Sequence, residues 1–259
     1  MSFSHDQYRQ IIASIRRAGM QPVSVSDFLT AADKKRLAIL RHDVDRRPAK
    51  AIALARLEHE LGIRSTYYFR AGSRGTFPAD AVRAIVSLGH EVGYHYETLS
   101  QCGGNVPAAL AAFERNLAQF RQIAPCVTVS MHGAPLSRHD NQQLAAHIDF
   151  ERLELLGDAV SHVVPFEPYY FTDTGGRWNA SGRENLRDYA GVLPPPGVSP
   201  DNEAAFASLL SKNERPIYLS THPERWSHTR TGYLYAAFLD QCSLAAKRGL
   251  HFLGRRHRT

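Results

Sequence analysis

Four short stretches of this 259-residue chain gather side chains able to bind a metal ion or move a proton: His42-Asp43-Val44-Asp45, His95-Tyr96-Glu97, His132-Gly133 and His222-Pro223. Asp43 and Asp45 are two apart, so on an extended backbone both carboxylates point to one face. Carboxylates held side by side repel, which raises one pKa unless a cation lies between them. A divalent ion bound to one would settle the conflict and leave the other free as a general base. The alternative is that the pair caps a helix starting just beyond, at Arg46-Arg47-Pro48. His95 and Glu97 repeat the two-residue spacing, and histidine with carboxylate oxygens suits a zinc-like ion. His132 is a further candidate ligand or a substrate hydrogen-bond donor, and His222 a candidate general acid. Trp178 and Trp226 are expected either to wall a pocket or to sit in the core.

These residues need elements that converge. Ala38 to His42, Ser65 to Arg70, Glu91 to His95, Val127 to Met131 and Ile217 to Ser220 read as short apolar or β-branched strands. Between them lie helical patterns: one opening near Pro48 with Leu54, Leu57 and Leu61 on a face and stopping at Gly62; one from Pro78 to Leu88; one carrying Leu110, Phe113, Leu117 and Phe120; and one from Asp201 to Leu210. A final helix is expected from Thr231 to Lys247, and Leu155 to Trp178 reads as short strands with a long loop. Gln7 to Met20 is an amphipathic stretch expected to cover one end of the molecule, within an N-terminal cover of roughly residues 1–35. Strands alternating with helices imply a parallel sheet with helices outside it, and no shift in composition divides the chain. The expectation is a single α/β domain over residues 1–259, a closed or nearly closed (β/α) barrel. In such a barrel the site lies at the C-terminal strand ends, where all four stretches fall.

Composition narrows the function. With 43% hydrophobic and 22% charged residues the chain has the makings of an ordinary core. No apolar run approaches the roughly 20 residues that span a bilayer. The net charge of +6 is spread among interleaved acids and bases, and no basic run is threaded with aromatics, so a nucleic-acid partner is not expected. The three cysteines, Cys102, Cys126 and Cys242, have no CxxC spacing and point to neither a disulfide framework nor a cysteine zinc site. Met1 to Gln7 lacks a basic stretch followed by an apolar one, so a cytoplasmic location is expected.

In order and type these segments resemble the NodB-like polysaccharide deacetylases, carbohydrate esterase family 4. Arg41-His42-Asp43-Val44-Asp45 looks like that family's first motif, and Ser65-Thr66-Tyr67-Tyr68-Phe69 its second strand. Gly89-His90-Glu91-Val92-Gly93-Tyr94-His95 is similar to its Gly-His-Glu-Ile-Gly-x-His segment, and Leu219-Ser220-Thr221-His222 to its last motif. The resemblance covers the chain from Leu37 to His222 and implies a distorted (β/α) barrel of the NodB-homology type. It implies Asp43 as the catalytic base, Asp45 and His95 as ligands of a divalent metal such as zinc, and His222 as the acid that protonates the leaving group. Two positions depart from the family: its second metal histidine falls at Leu99, and Met131-His132-Gly133-Ala134-Pro135 replaces its Arg-x-Pro motif. A third ligand must then come from Glu97, His132 or water, and the residue steadying the base from Arg70 or Arg41. Arg70 and Trp178 are also candidates for holding substrate.

The implied activity is metal-dependent removal of an N-acyl group, acetyl or similar, from an amino sugar of a surface polysaccharide or its precursor. Two alternatives use the same fold: a metal-free glycan-binding pseudo-enzyme, with Trp178, Trp226, Tyr169 and Tyr170 as a stacking platform, and a cyclic-amide or ureide hydrolase.

Overall fold

The structure is a computed structural model that describes residues 3–72, 75–134, 137–178 and 189–227. The helix expected from Thr231 to Lys247 lies outside these residues. Among them the chain forms an α/β fold whose strand pairings are all parallel. The order of elements is α1 (His5–Arg17), β1 (Gln21–Val23), α2 (Val25–Thr30), β2 (Leu37–Val44), α3 (Pro48–Glu60), β3 (Thr66–Arg70), α4 (Ala79–Ser87), β4 (Glu91–Tyr96), α5 (Thr98–Gln101), α6 (Val106–Arg121), β5 (Thr128–Met131), β6 (Gly157–Asp158), β7 (Tyr169–Thr172), α7 (Glu203–Lys212) and β8 (Ile217–Thr221). The sheet runs β6-β5-β4-β3-β2-β8-β7, with β1 beside the first half of β2. No helix among the described residues is long and apolar enough to cross a membrane.

β2 lies at the centre because every one of its residues, Leu37 through Val44, is buried. A strand buried on both faces is what a parallel sheet under helices requires. The sheet curls. Tyr218 Oη on β8 donates to the carbonyl of Ala159, just past β6, across the interior at 2.8 Å, which brings the two ends of the strand path towards each other. Among the described residues no ladder joins β6 to β7, so the barrel foreseen from the sequence is open along that seam.

Gly93, which weakens β4 as a sequence, has a packing reason. A Cβ there would lie 2.4 Å from the Tyr68 ring and 2.7 Å from the Thr128 carbonyl. The Tyr68 ring needs that gap to send its hydroxyl to Thr128 Oγ1 at 2.7 Å. Gly93→Ala should therefore cost about 1–3 kcal/mol of stability through overpacking, read as a lower denaturation midpoint in urea.

Two apolar clusters surround the sheet, one joining α2, α4 and α6 to β3, β4 and β5, the other built by α1, α3, α7 and β8. The side chain of Ser4 caps α1, and the helix packs against α3 and α7. Its Tyr8 donates to Glu58 of α3, and its Ile11, Ile12 and Ile15 share a cluster with Phe206 and Leu210 of α7.

Candidate active site

The C-terminal end of β2 carries the densest chemistry. Alternation along the strand sets Arg41 and Asp43 on one face, where Arg41 Nε and a terminal nitrogen each donate to a different Asp43 oxygen at 2.7 Å. Both side chains are essentially inaccessible to water. Burial alone would raise the Asp43 carboxyl; Arg41, aided by His95 and His222, instead holds it at about 2. The residue steadying this acid is therefore its own strand neighbour, whereas Arg70 is engaged elsewhere. The aspartates do not cap α3: that cap is Arg47, in a left-handed conformation at φ 53° and without a side-chain bond.

Asp45 lies one residue past the end of β2. Burial opposes its ionisation, but the charges of His132, His95 and His222 keep the carboxyl below its ordinary value. Its Oδ1 is buried with no hydrogen-bond partner. Two imidazoles close on it: His95 Nε2 stands 3.8 Å from Asp45 Oδ1 and from Asp43 Oδ2, and His132 Nε2 stands 3.8 Å from Asp45 Oδ2. These separations exceed a hydrogen bond. The opposite nitrogen of each ring is occupied, His95 Nδ1 against the Ser130 carbonyl at 3.1 Å and His132 Nδ1 against Glu97 Oε2 at 2.7 Å. Burial pushes His95 down to about 4. It is neutral at pH 7, and a proton on Nδ1 donated to the carbonyl leaves the Nε2 lone pair facing the aspartates. On His132 burial is outweighed by Asp45 and Glu97, and its pKa rises.

Imidazoles fixed through one nitrogen by a carbonyl or carboxylate, with the other turned to an unpartnered acid, are the usual surroundings of a divalent cation. Asp45, His95 and His132 are of the right chemical type to hold one. Among the described residues, however, no three such groups are drawn into a closed ligand set.

Glu97, a candidate ligand by its spacing from His95, has another role here. β4 ends at Tyr96, and Glu97 turns at φ −144°, ψ 25° into the start of α5. That turn breaks the alternation and sends its carboxylate sideways. One oxygen takes Arg70 at 2.7 Å and Gln101 at 3.1 Å, the other His132. Burial would raise it, yet His132 and Arg70 bring it to about 2. Glu97 orients His132, and Arg70 orients Glu97. Leu99 is buried in the core, and the second imidazole beside His95 comes from the next strand end, the His132 ring lying 5.2 Å away.

His222, just past β8, is held by Asp173 at the end of β7. The carboxylate accepts from Nδ1 at 2.6 Å, from the His222 backbone N–H, from Arg225 and from the Trp226 indole at 2.9 Å. Burial and Arg225 both favour the neutral ring, but Asp173 overrides them and lifts His222 to about 9. Asp173 was not singled out from the sequence, although Tyr169 to Thr172 is an aromatic, β-branched run with an acid at its end. Trp178 and Trp226 are buried in a packed group with Phe3, their centroids 6.0 Å apart. The structure thus places Trp178 in the core, packed against Trp226.

Fold and site together define a parallel α/β protein with a clamped acid, a clamped imidazolium and a histidine–carboxylate donor set at the C-terminal strand ends. A Streptococcus mutans CE4 esterase structure is similar to it at a TM-score of 0.43 and 14% identity, over 93% of this chain and 91% of that one. No family model matches the chain. No curated protein matches it either.

Proposed function

We propose that this protein is a metal-dependent hydrolase that removes an N-acyl group from an amino sugar. The observation that carries this reading is the pairing of Arg41-clamped Asp43 with Asp173-clamped His222 on neighbouring strands, β2 and β8, around Asp45, His95 and His132. An ionised carboxylate and a protonated imidazole are the two proton carriers that amide hydrolysis needs.

Asp43 takes the proton of the attacking water as oxygen bonds to the acyl carbon. As the carbon–nitrogen bond breaks, His222 gives its proton to the departing nitrogen, and exchange with solvent then restores both groups. Asp45, His95 and His132 would hold a divalent ion, which would supply Lewis acidity towards the water and the carbonyl. That acidity matters because a carboxylate held at about 2 is a weak base. Arg41 keeps Asp43 in place and ionised until it takes that proton; Asp173 fixes the tautomer and orientation of His222.

The buried positions of Trp178 and Trp226 leave neither ring as a stacking platform, so the hydrolase reading is preferred over a glycan-binding one. The test is release of free amine from N-acetylglucosamine oligomers, followed together with metal content by mass spectrometry. Turnover that needs about one bound ion per chain supports the reading; turnover by metal-stripped protein, or none with zinc, cobalt or nickel supplied, removes it.

A second expectation concerns pH. With His222 lifted to about 9, the acid stays protonated below that value, and activity is lost as pH rises through it. Asp173→Asn removes the carboxylate that lifts the ring, and the alkaline limb of kcat/KM should move down towards the ordinary histidine value of about 6.5. A limb that stays in place would assign the acid to another group.

A further inference from the structure

Glu224 is a buried acid that these roles leave unused. It follows His222 and Pro223 in the short turn Pro223–Arg225, and its side chain is 8% exposed. Neither carboxyl oxygen has a hydrogen-bond partner. The Arg46 guanidinium is 3.9 Å from Oε1, beyond hydrogen-bond reach, and its side chain is 52% exposed. The turn that carries Glu224 starts from His222, and Arg46, which reaches towards the Glu224 carboxyl, directly follows Asp45 in the chain, so Glu224 stands beside the two groups between which substrate must sit. Burial pushes the carboxyl up to about 7, with Asp45 adding to it and His222 opposing. A buried acid normally has donors supplied by the fold, and leaving one without them is destabilising. An acid left so at the wall of a site has its donors supplied by a ligand.

Resting on the hydrolase reading, we infer that Glu224 receives the amino group of the substrate, accepting from the amide N–H before cleavage and pairing with the ammonium of the product. The placement fits the chemistry. The nitrogen that His222 protonates is the group that must lie next to His222, and Glu224 is two residues along the same turn. It also sets a preference: an ester oxygen in that position brings no proton and meets the carboxylate with a lone pair, so N-acyl substrates are favoured over O-acyl ones. Asp173, which takes four donors, has no such freedom, and Asp43 is already assigned to the attacking water.

Glu224→Gln keeps the shape and removes the charge. With D-glucosamine and D-glucose as probes, calorimetric titration should show the wild type favouring the amine by about tenfold, the scale of a charge-assisted hydrogen bond. In the variant that preference should shrink to about twofold or less. Because no side chain satisfies the carboxylate and only its own backbone N–H bears on it, the variant should melt at the wild-type temperature or roughly 2–4 °C above it. A variant that binds glucosamine as tightly as wild type, or that melts well below it, overturns the inference and makes Glu224 structural. Turnover of N-acetylglucosamine oligomers by the wild type separates the two readings. Turnover with an unchanged KM in Glu224→Gln defeats the Glu224 assignment alone. Absent turnover with an intact, Glu224-dependent glucosamine preference defeats the hydrolase reading and leaves the amine site standing.

Discussion

Asparagine at position 43 should lower hydrolysis of N-acyl amino sugars by about 10²–10⁴-fold while leaving the bound metal in place. The substitution is nearly isosteric, and the asparagine carbonyl can still accept one of the two hydrogen bonds that Arg41 now gives Asp43. What disappears is the carboxylate proposed to take the proton from water. Arg41 then keeps a buried charge without its counter-charge, so some loss of stability accompanies the loss of rate. A thermal melt separates the two, since a folded, metal-loaded and inactive variant assigns the base. Near wild-type turnover in that variant would move the role to another residue.

Alanine at position 45 should act on a different quantity, with metal content falling from about one ion per chain to none. The cause is geometric. Asp45 is the acid that both imidazole Nε2 atoms face, and its Oδ1 has no partner in the fold. Glu97→Gln is the graded counterpart. It leaves every donor atom in place and weakens only the orientation of His132, so metal affinity should fall by about 10–100-fold. Equilibrium dialysis against zinc would order the three proteins. Full metal retention in Asp45→Ala would mean that the ion, if bound, sits elsewhere.

The parts of the site that could be read from the sequence are those governed by period-two alternation and strand-end placement. Asp43 beside His42, His95 one residue before the end of β4, His132 past β5 and His222 past β8 all fall where a parallel sheet puts its chemistry. Alternation also misled, at Glu97. The strand had already ended and the backbone had turned, so a residue expected to share a ligand role with His95 instead supports His132. Asp173 was hidden because Pro168 and the paired Gly175 and Gly176 make the surrounding segment read as loop, although Tyr169–Thr172 is a strand paired with β8. The 3-10 turns at Asn141–His147 and Pro223–Arg225 left no periodic signal. Whether a buried acid such as Glu224 finds a donor depends on packing that no local pattern records.

The Arg41–Asp43 clamp has a consequence for how the molecule assembles. Its two members are separated by a single residue, so the pair can form as soon as β2 is extended, and the charge enters the interior already matched. The partnerships that hold the histidines join distant parts of the chain: His132 must arrive from β5 to meet Glu97, and His222 must meet Asp173 across a separation of 49 residues. The Arg41–Asp43 pair needs only β2; the gathering of Asp45, His95 and His132 and the His222–Asp173 pair exist only once the sheet has docked on both sides of β2. A metal ion that recognised only the finished set would bind the native state and not its precursors, and by mass action would add its binding free energy to the last step of folding.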